Sequence, residues 1–156
     1  MGHFEVKRFA GMYLRCKLPH RPQGIISGMA VGWDLALAHA ALDVGIPVKA
    51  AIPFEGHDEH WPQVFRDILR SLLARVSETV VVCDRRNWEL TPAYKYQKRN
   101  EWMVDNADSV LALWNGDPKG GTANTVRYAD KVHKPVVNCW DEFEGWVHRE
   151  REDPVP

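Results

Sequence analysis

Apolar and polar positions alternate in blocks along the chain from Gly24 onward, with short β-branched runs followed by longer amphipathic or alanine-rich ones. GIIS at Gly24 to Ser27 predicts a strand, and DLALAHAALDVG predicts a helix that Gly45 ends. IPVKAAIPF at Ile46 to Phe54 predicts a second strand. A polar loop, EGHDEH, leads from it into WPQVFRDILRSLLARV, with Pro62 near the helix start where its missing N–H costs nothing. TVVVC at Thr79 to Cys83 predicts a strand, RRNWELTP a loop, and AYKYQKRNEWMVDNA a helix. DSVLALW at Asp108 to Trp114, the turn NGDPKGG, TANTVRYADKVH and PVVNC at Pro135 to Cys139 complete a last strand-helix-strand unit. This order predicts an α/β fold, a Rossmann-like three-layer sandwich with a mainly parallel sheet and its ligand edge at the strand-to-helix loops. Residues 1–23 are less regular. Phe4, Val6, Phe9 and Met12 suit a helix, and Pro19 and Pro22 force a loop. A single domain is expected over 1–147, with 148–156 a flexible tail.

Composition narrows the classes. Of 156 residues, 45% are hydrophobic and 26% charged, as in an ordinary globular chain, and a net charge of −1 supplies no global field for a polyanion. Nucleic acid is therefore disfavoured as a partner. Cys16, Cys83 and Cys139 form no CxxC pair and leave an odd thiol, which suits a reduced, cytoplasmic protein. No apolar run of about 18 residues exists to span a bilayer, so no membrane is expected.

Two glycine-rich turns join predicted strands to predicted helices: Ser27-Gly28-Met29-Ala30-Val31-Gly32-Trp33-Asp34, and Gly116 to Asn124. Glycine lets backbone approach a ligand closely, and the N–H groups at a helix start can bind an anion, so each turn is a candidate phosphate loop. The competing reading, that the glycines only close the turns, is about as good for either loop alone. Thr122 can cap its helix or donate to phosphate, and Lys119 adds charge. Asp34 can serve its helix start or accept a ribose hydroxyl. Arg99, mid-helix, could reach a phosphate, but the ordinary expectation is a surface arginine. His57 and His60 sit among carboxylates at a spacing that could hold a metal, and a solvated loop is the stronger reading. Neither a Walker A loop nor GxGxxG nor GxSxG nor HExxH occurs, and no metal or cofactor is expected.

The order ISGMAVGWD, GIPVKAAIPFEGHDEHWP, QKRNEWMVDNADSVLALWNG and GGTANTVRYA, over Gly24 to Cys139, resembles the YpsA-like, phage-associated branch of the SLOG superfamily. That superfamily is Rossmann-like and includes the lonely-guy phosphoribohydrolases and the DNA-processing protein A fold. The resemblance implies a nucleotide or nucleotide-derived ligand at the C-terminal edge of the sheet, held by Ser27, Gly28, Met29, Ala30, Gly32, Asp34, Arg99, Asn100, Trp114, Gly116, Gly120, Gly121, Thr122 and Asn124. In lonely-guy enzymes an RK pair and a glutamate after a PGGxGT turn serve N-glycosidic cleavage. Arg99 and Asn100 stand at the position of that pair here, and Asn124 stands where the first glutamate would. An amide carries no charge and is no general base, so the change favours binding over that mechanism.

The expected function is a sensor or sequestering module for such a ligand. The alternative is an N-glycosidase or phosphoribohydrolase acting on a nucleoside monophosphate or ADP-ribose-like compound, with Arg99, Asn124 and Asp34 as catalytic candidates and Glu101 as a substitute carboxylate. The family's TGHRP-like turn has two counterparts, Gly2-His3 and His20-Arg21-Pro22, the first implying a missing strand and the second a rearranged one. A homodimer is implied by the relatives, through the helix that bears Trp102.

Overall fold

The computed structural model describes residues 2–84, 86–87 and 89–152. Parts of the stretch RRNWELTP, and the end of the expected flexible tail at 153–156, lie outside them. The fold is Rossmann-like α/β, with helices alternating with short parallel strands. The chain divides into two compact units, 1–103 and 104–156.

The first unit runs α1 (His3–Cys16), β1 (Ile25–Ser27), α2 (Trp33–Asp43), β2 (Val48–Ile52), α3 (Gln63–Leu73), β3 (Glu78–Val81) and nearly all of α4 (Pro92–Asp105). Its strands pair in parallel in the order β1-β2-β3, with Ile25 opposite Val48 and Ala50 opposite Thr79. The central strand is the most buried: Val48, Ala50, Ala51 and Ile52 are all enclosed, and only Lys49 reaches out, to Glu78 at 3.0 Å. Apart from Lys49, that apolar run is what a strand covered on both faces needs. α2 buries Leu35, Ala36, Leu37, Ala38, Ala40 and Ala41, so its alanines let the strands and α1 approach from several sides.

The expected N-terminal helix is present as α1. Val6, Phe9, Ala10, Tyr13 and Leu14 are buried, at the i, i+3, i+4, i+7 spacing of one helical face, whereas Phe4 remains 61% exposed. Lys7 binds Asp43 at 2.6 Å and Arg75 binds it at 3.0 Å, tying α1 and the residues after α3 to the end of α2. Next to them His3 Nε2 meets His39 Nδ1 at 3.0 Å, with the rings stacked.

Burial first, then the Lys7 charge, lowers the pKa of both imidazoles from the ordinary value. A lowered imidazole pKa means that the folded state holds the neutral rings, so their stabilisation is present above the ordinary imidazole pKa and is lost as pH falls below it. Urea melts between about pH 7 and about pH 5 should show stability falling with acid, and His39→Gln should flatten that slope. An unchanged slope in the variant would show that the pair does not titrate with folding.

The second unit holds β4 (Val110–Ala112), α5 (Gly121–Lys131), β5 (Val136–Asn138) and α6 (Trp140–Glu152). β4 and β5 pair in parallel, with Ala112 opposite Asn138. α6 was not expected and runs through 148–152, part of the span read from the sequence as a tail. It buries Phe143 and Trp146 three residues apart, with acidic residues in its first turn and arginines in its last, as the helix dipole favours. No helix of the described residues is long and apolar enough to cross a membrane.

Candidate functional site

The turn after β1 is held by its own side chains. Ser27 Oγ accepts from the Met29 N–H at 3.1 Å and donates to the Asp34 carbonyl at 2.9 Å. The Asp34 carboxylate accepts backbone N–H groups from Ala30 and Gly28. Three consecutive turn N–H groups are thereby occupied within the protein. Met29 adopts φ +53°, rare for a residue with a side chain, and its side chain is fully buried. Gly32, at φ +108° with open space around it, starts α2 without a side-chain cap.

Arg99 lies beneath this turn. Sequence reasoning favoured a surface arginine, yet the residue is 4% exposed. Its Nη1 donates to the Gly28 carbonyl and, at 3.5 Å, to that of Ala51, and its Nε donates to Asn100 Oδ1 at 2.8 Å. The guanidinium thus ties the end of β1 to β2, because two strand-end carbonyls converge where only a multidentate donor serves both. Burial lowers the Arg99 pKa, with Asp34 opposing. Burial raises the Asp34 carboxyl above the ordinary range, and Arg99, Ala30 and Gly28 pull it back. Ser27, Gly28, Met29, Ala30, Asp34, Arg99 and Asn100 therefore form one connected cluster.

The loop after β2 is not uniformly solvated. His57 is buried, while Glu59 and His60 are exposed. Trp61 stands edge-on to the His57 ring at 5.1 Å, and Phe54 stands edge-on to Tyr96 at 5.8 Å. Among the described residues no group of three or more His, Cys, Asp or Glu side chains gathers as metal ligands do.

The second glycine loop is built differently. Asn115 Oδ1 accepts from Asp117 N at 3.0 Å, and Asp117 Oδ1 accepts from Lys119 N at 2.9 Å, two successive side-chain turns. The Trp114 indole donates to the Asp117 carbonyl at 2.8 Å. Asn138, at the end of β5, bridges both backbone groups of Trp114. From α5, Arg127 donates to the Pro118 carbonyl at 2.9 Å and to Asn124 Oδ1.

The loop is thus fixed, and what it presents is the start of α5. Gly120, at φ +96°, precedes the helix without a side-chain cap, and Asn124 N is the first amide to bond back, to the Gly120 carbonyl. The N–H groups of Gly121, Thr122 and Ala123 have no partner among the described residues. Among the described residues, a Cβ added at Gly116 or Gly120 would meet nothing within 4 Å. Sequence reasoning missed Arg127 and Asn138. Arg127's spacing of three from Asn124 on a helix was the available signal; Asn138 shows itself only through strand pairing.

The profile of the family described as DNA recombination-mediator protein A matches residues 6–152. The SPbeta prophage-derived protein YoqJ of Bacillus subtilis (strain 168), itself uncharacterized, is 31% identical over 91 residues, covering 53% of this chain and 52% of that protein. The chain thus matches about half the length of this relative.

Proposed function

The chain belongs to the DNA recombination-mediator protein A family, and from that premise we propose that it binds the phosphate of a nucleotide or nucleotide-derived ligand at the start of α5, without turnover. The carrying observation is the uncapped first turn of α5, whose N–H groups stand open behind a loop fixed by Trp114, Asn138 and Arg127. Such a turn offers oriented donors and the positive end of the helix dipole, and the loop needs little reordering on binding. Lys119 and Arg127 add positive charge beside it. The Asn124 amide oxygen already faces Arg127, which supports a binding element rather than a base. The net charge of −1 supports a small anion over a tracked strand of DNA.

Titration with nucleoside monophosphates, ADP-ribose and inorganic phosphate, followed by chromatography for free base, tests this reading. Stabilisation without base release is expected. Gly121→Asp places a carboxylate in the first helical turn, where it competes with the ligand while suiting the dipole. It should leave the melting temperature unchanged or higher and weaken phosphate-bearing ligands about tenfold or more. Equal affinity in wild type and Gly121→Asp would remove α5 from the site, and base release would replace a sensor with an enzyme.

A further inference from the structure

The start of α1 is fastened to α2 by a hydrogen bond between two imidazoles. The facing nitrogens, Nε2 of His3 and Nδ1 of His39, lie 3.0 Å apart, so one carries a proton and the other accepts it. The remaining nitrogen of His3, Nδ1, is buried and has no hydrogen-bond partner among the described residues. Phe4 stands edge-on to both rings, 5.3 Å from His3 and 6.3 Å from His39. The charged groups that face the pair are Lys7 on α1, Asp43 on α2 and Arg75 after α3. Asp43 bonds both cations, and Lys7 holds its carboxyl below the ordinary range, so it stays ionised where imidazoles titrate. Within this cluster, charge changes between about pH 7 and about pH 5 only on the two rings.

Counting protons shows what that change does. The neutral rings carry one proton each, and with Nε2 of His3 as the donor the buried Nδ1 carries none. A third proton has two places to go while the 3.0 Å bond is kept. If His3 takes it, Nε2 still donates to His39 and the added N–H is Nδ1. If His39 takes it, its Nδ1–H needs a bare Nε2 on His3, which moves the His3 proton to Nδ1. Both routes place an N–H on the buried Nδ1, where no described residue accepts it. Burial and the Lys7 charge lower both imidazole pKa values, the direction this count requires.

We infer that His3 and His39 form a proton-sensitive latch, which fastens the start of α1 to α2 while both rings are neutral and releases it when they become charged. Latched, neither ring takes up a proton; released, each titrates at its ordinary value. The latch is therefore closed above the ordinary imidazole pKa and opens as pH falls below it. Opening uncovers Val6, which is buried with the latch closed. The Phe9 ring still meets Trp33, 6.1 Å away at the other end of α2. The latch involves α1 and α2 alone and does not depend on a phosphate at α5.

Native-state hydrogen exchange of the Val6 amide, which bonds the Gly2 carbonyl, reads the opening. With two rings gaining protons at an ordinary pKa of about 6.5, the opening constant should rise about seventyfold between about pH 7 and about pH 5.5, after correction for intrinsic exchange. The variants separate the rings. In His39→Gln only His3 gains a proton on release, and the rise should shrink to about eightfold. In His3→Gln the buried Nδ1 is gone and the side-chain amide can turn its oxygen toward a charged His39, so the rise should vanish. Val6 exchange independent of pH in the wild type, or a His3→Gln variant that opens with acid as the wild type does, would overturn the inference. NMR titration of the wild-type rings is the check that needs no variant. Both rings should gain their protons together with the opening, and a ring that charges while the Val6 amide stays protected would equally sink the latch.

Discussion

Arg99→Met should cost about 3–5 kcal/mol of unfolding free energy at neutral pH, the range for removing one partner of a buried charge pair. Methionine refills much of the arginine stem, so the loss comes from polar groups. The Gly28 and Ala51 carbonyls lose their shared donor, Asn100 loses the Nε bond, and the Asp34 carboxylate loses its facing cation. The pH dependence separates the last effect from the others. A carboxylate whose folded pKa is raised contributes stability that is fully present below its unfolded pKa and is lost as pH rises through the folded one. Without Arg99 the Asp34 pKa rises further, so the deficit against wild type should be largest near pH 7 and shrink as pH falls toward the ordinary carboxylate range. Asp34→Asn in the Arg99→Met background should recover part of the loss at neutral pH. Urea melts of the four proteins at two pH values form the cycle. A deficit that does not change with pH would mean that the Asp34 charge contributes nothing and that the carbonyls carry the whole effect.

Arg99 also marks the limit of what sequence could tell. Helix and strand order was legible as far as β5 because those elements carry their own periodicity: the β-branched run at Ile25 and Ile26, the alanine-rich α2 and the strand ending in Ala112 all lie where the pattern places them, whereas α6 was missed. Family membership was legible because four separated motifs occur in order over most of the matched residues. The burial of Arg99 was not, since a lone arginine on a helix reads the same whether its partners are water or two strand-end carbonyls 71 and 48 residues away in sequence. The burial of His57 was hidden likewise, because its flanking acids give the loop a solvated composition while the Met29 backbone and Trp61 enclose the ring. The two glycine loops looked alike in sequence and differ in the structure for one local reason. In the first, Ser27 and Asp34 sit where they can bind the turn's own N–H groups. In the second, Asn115 and Asp117 bind the N–H groups of the loop and leave those of the helix open.

Gly28→Ala should cost about 2–3 kcal/mol, although a single methyl is added and the backbone at this position is not left-handed. A Cβ there would lie 2.6 Å from Asp34 Oδ2 and 2.9 Å from both Cζ and Nη1 of Arg99. Those atoms are ends of side chains, which on a surface would swing away at little cost. Here each is held, Asp34 by two backbone N–H groups and Arg99 by strand-end carbonyls, so relief requires breaking bonds inside the cluster. Gly32→Ala provides the contrast, since Gly32 has φ +108° and, among the described residues, nothing within 4 Å of an added Cβ. Its cost is backbone strain alone, about 1–2 kcal/mol, and should add to any change at Arg99. Gly28→Ala should not add. With Arg99→Met already in place, the flexible thioether can yield to the new methyl, and the double variant should be less destabilised than the two single losses combined. Strict additivity in that cycle, measured by urea unfolding, would show that the methyl and the guanidinium do not compete for the same space. The close approach at Gly28 would then not be what demands glycine there.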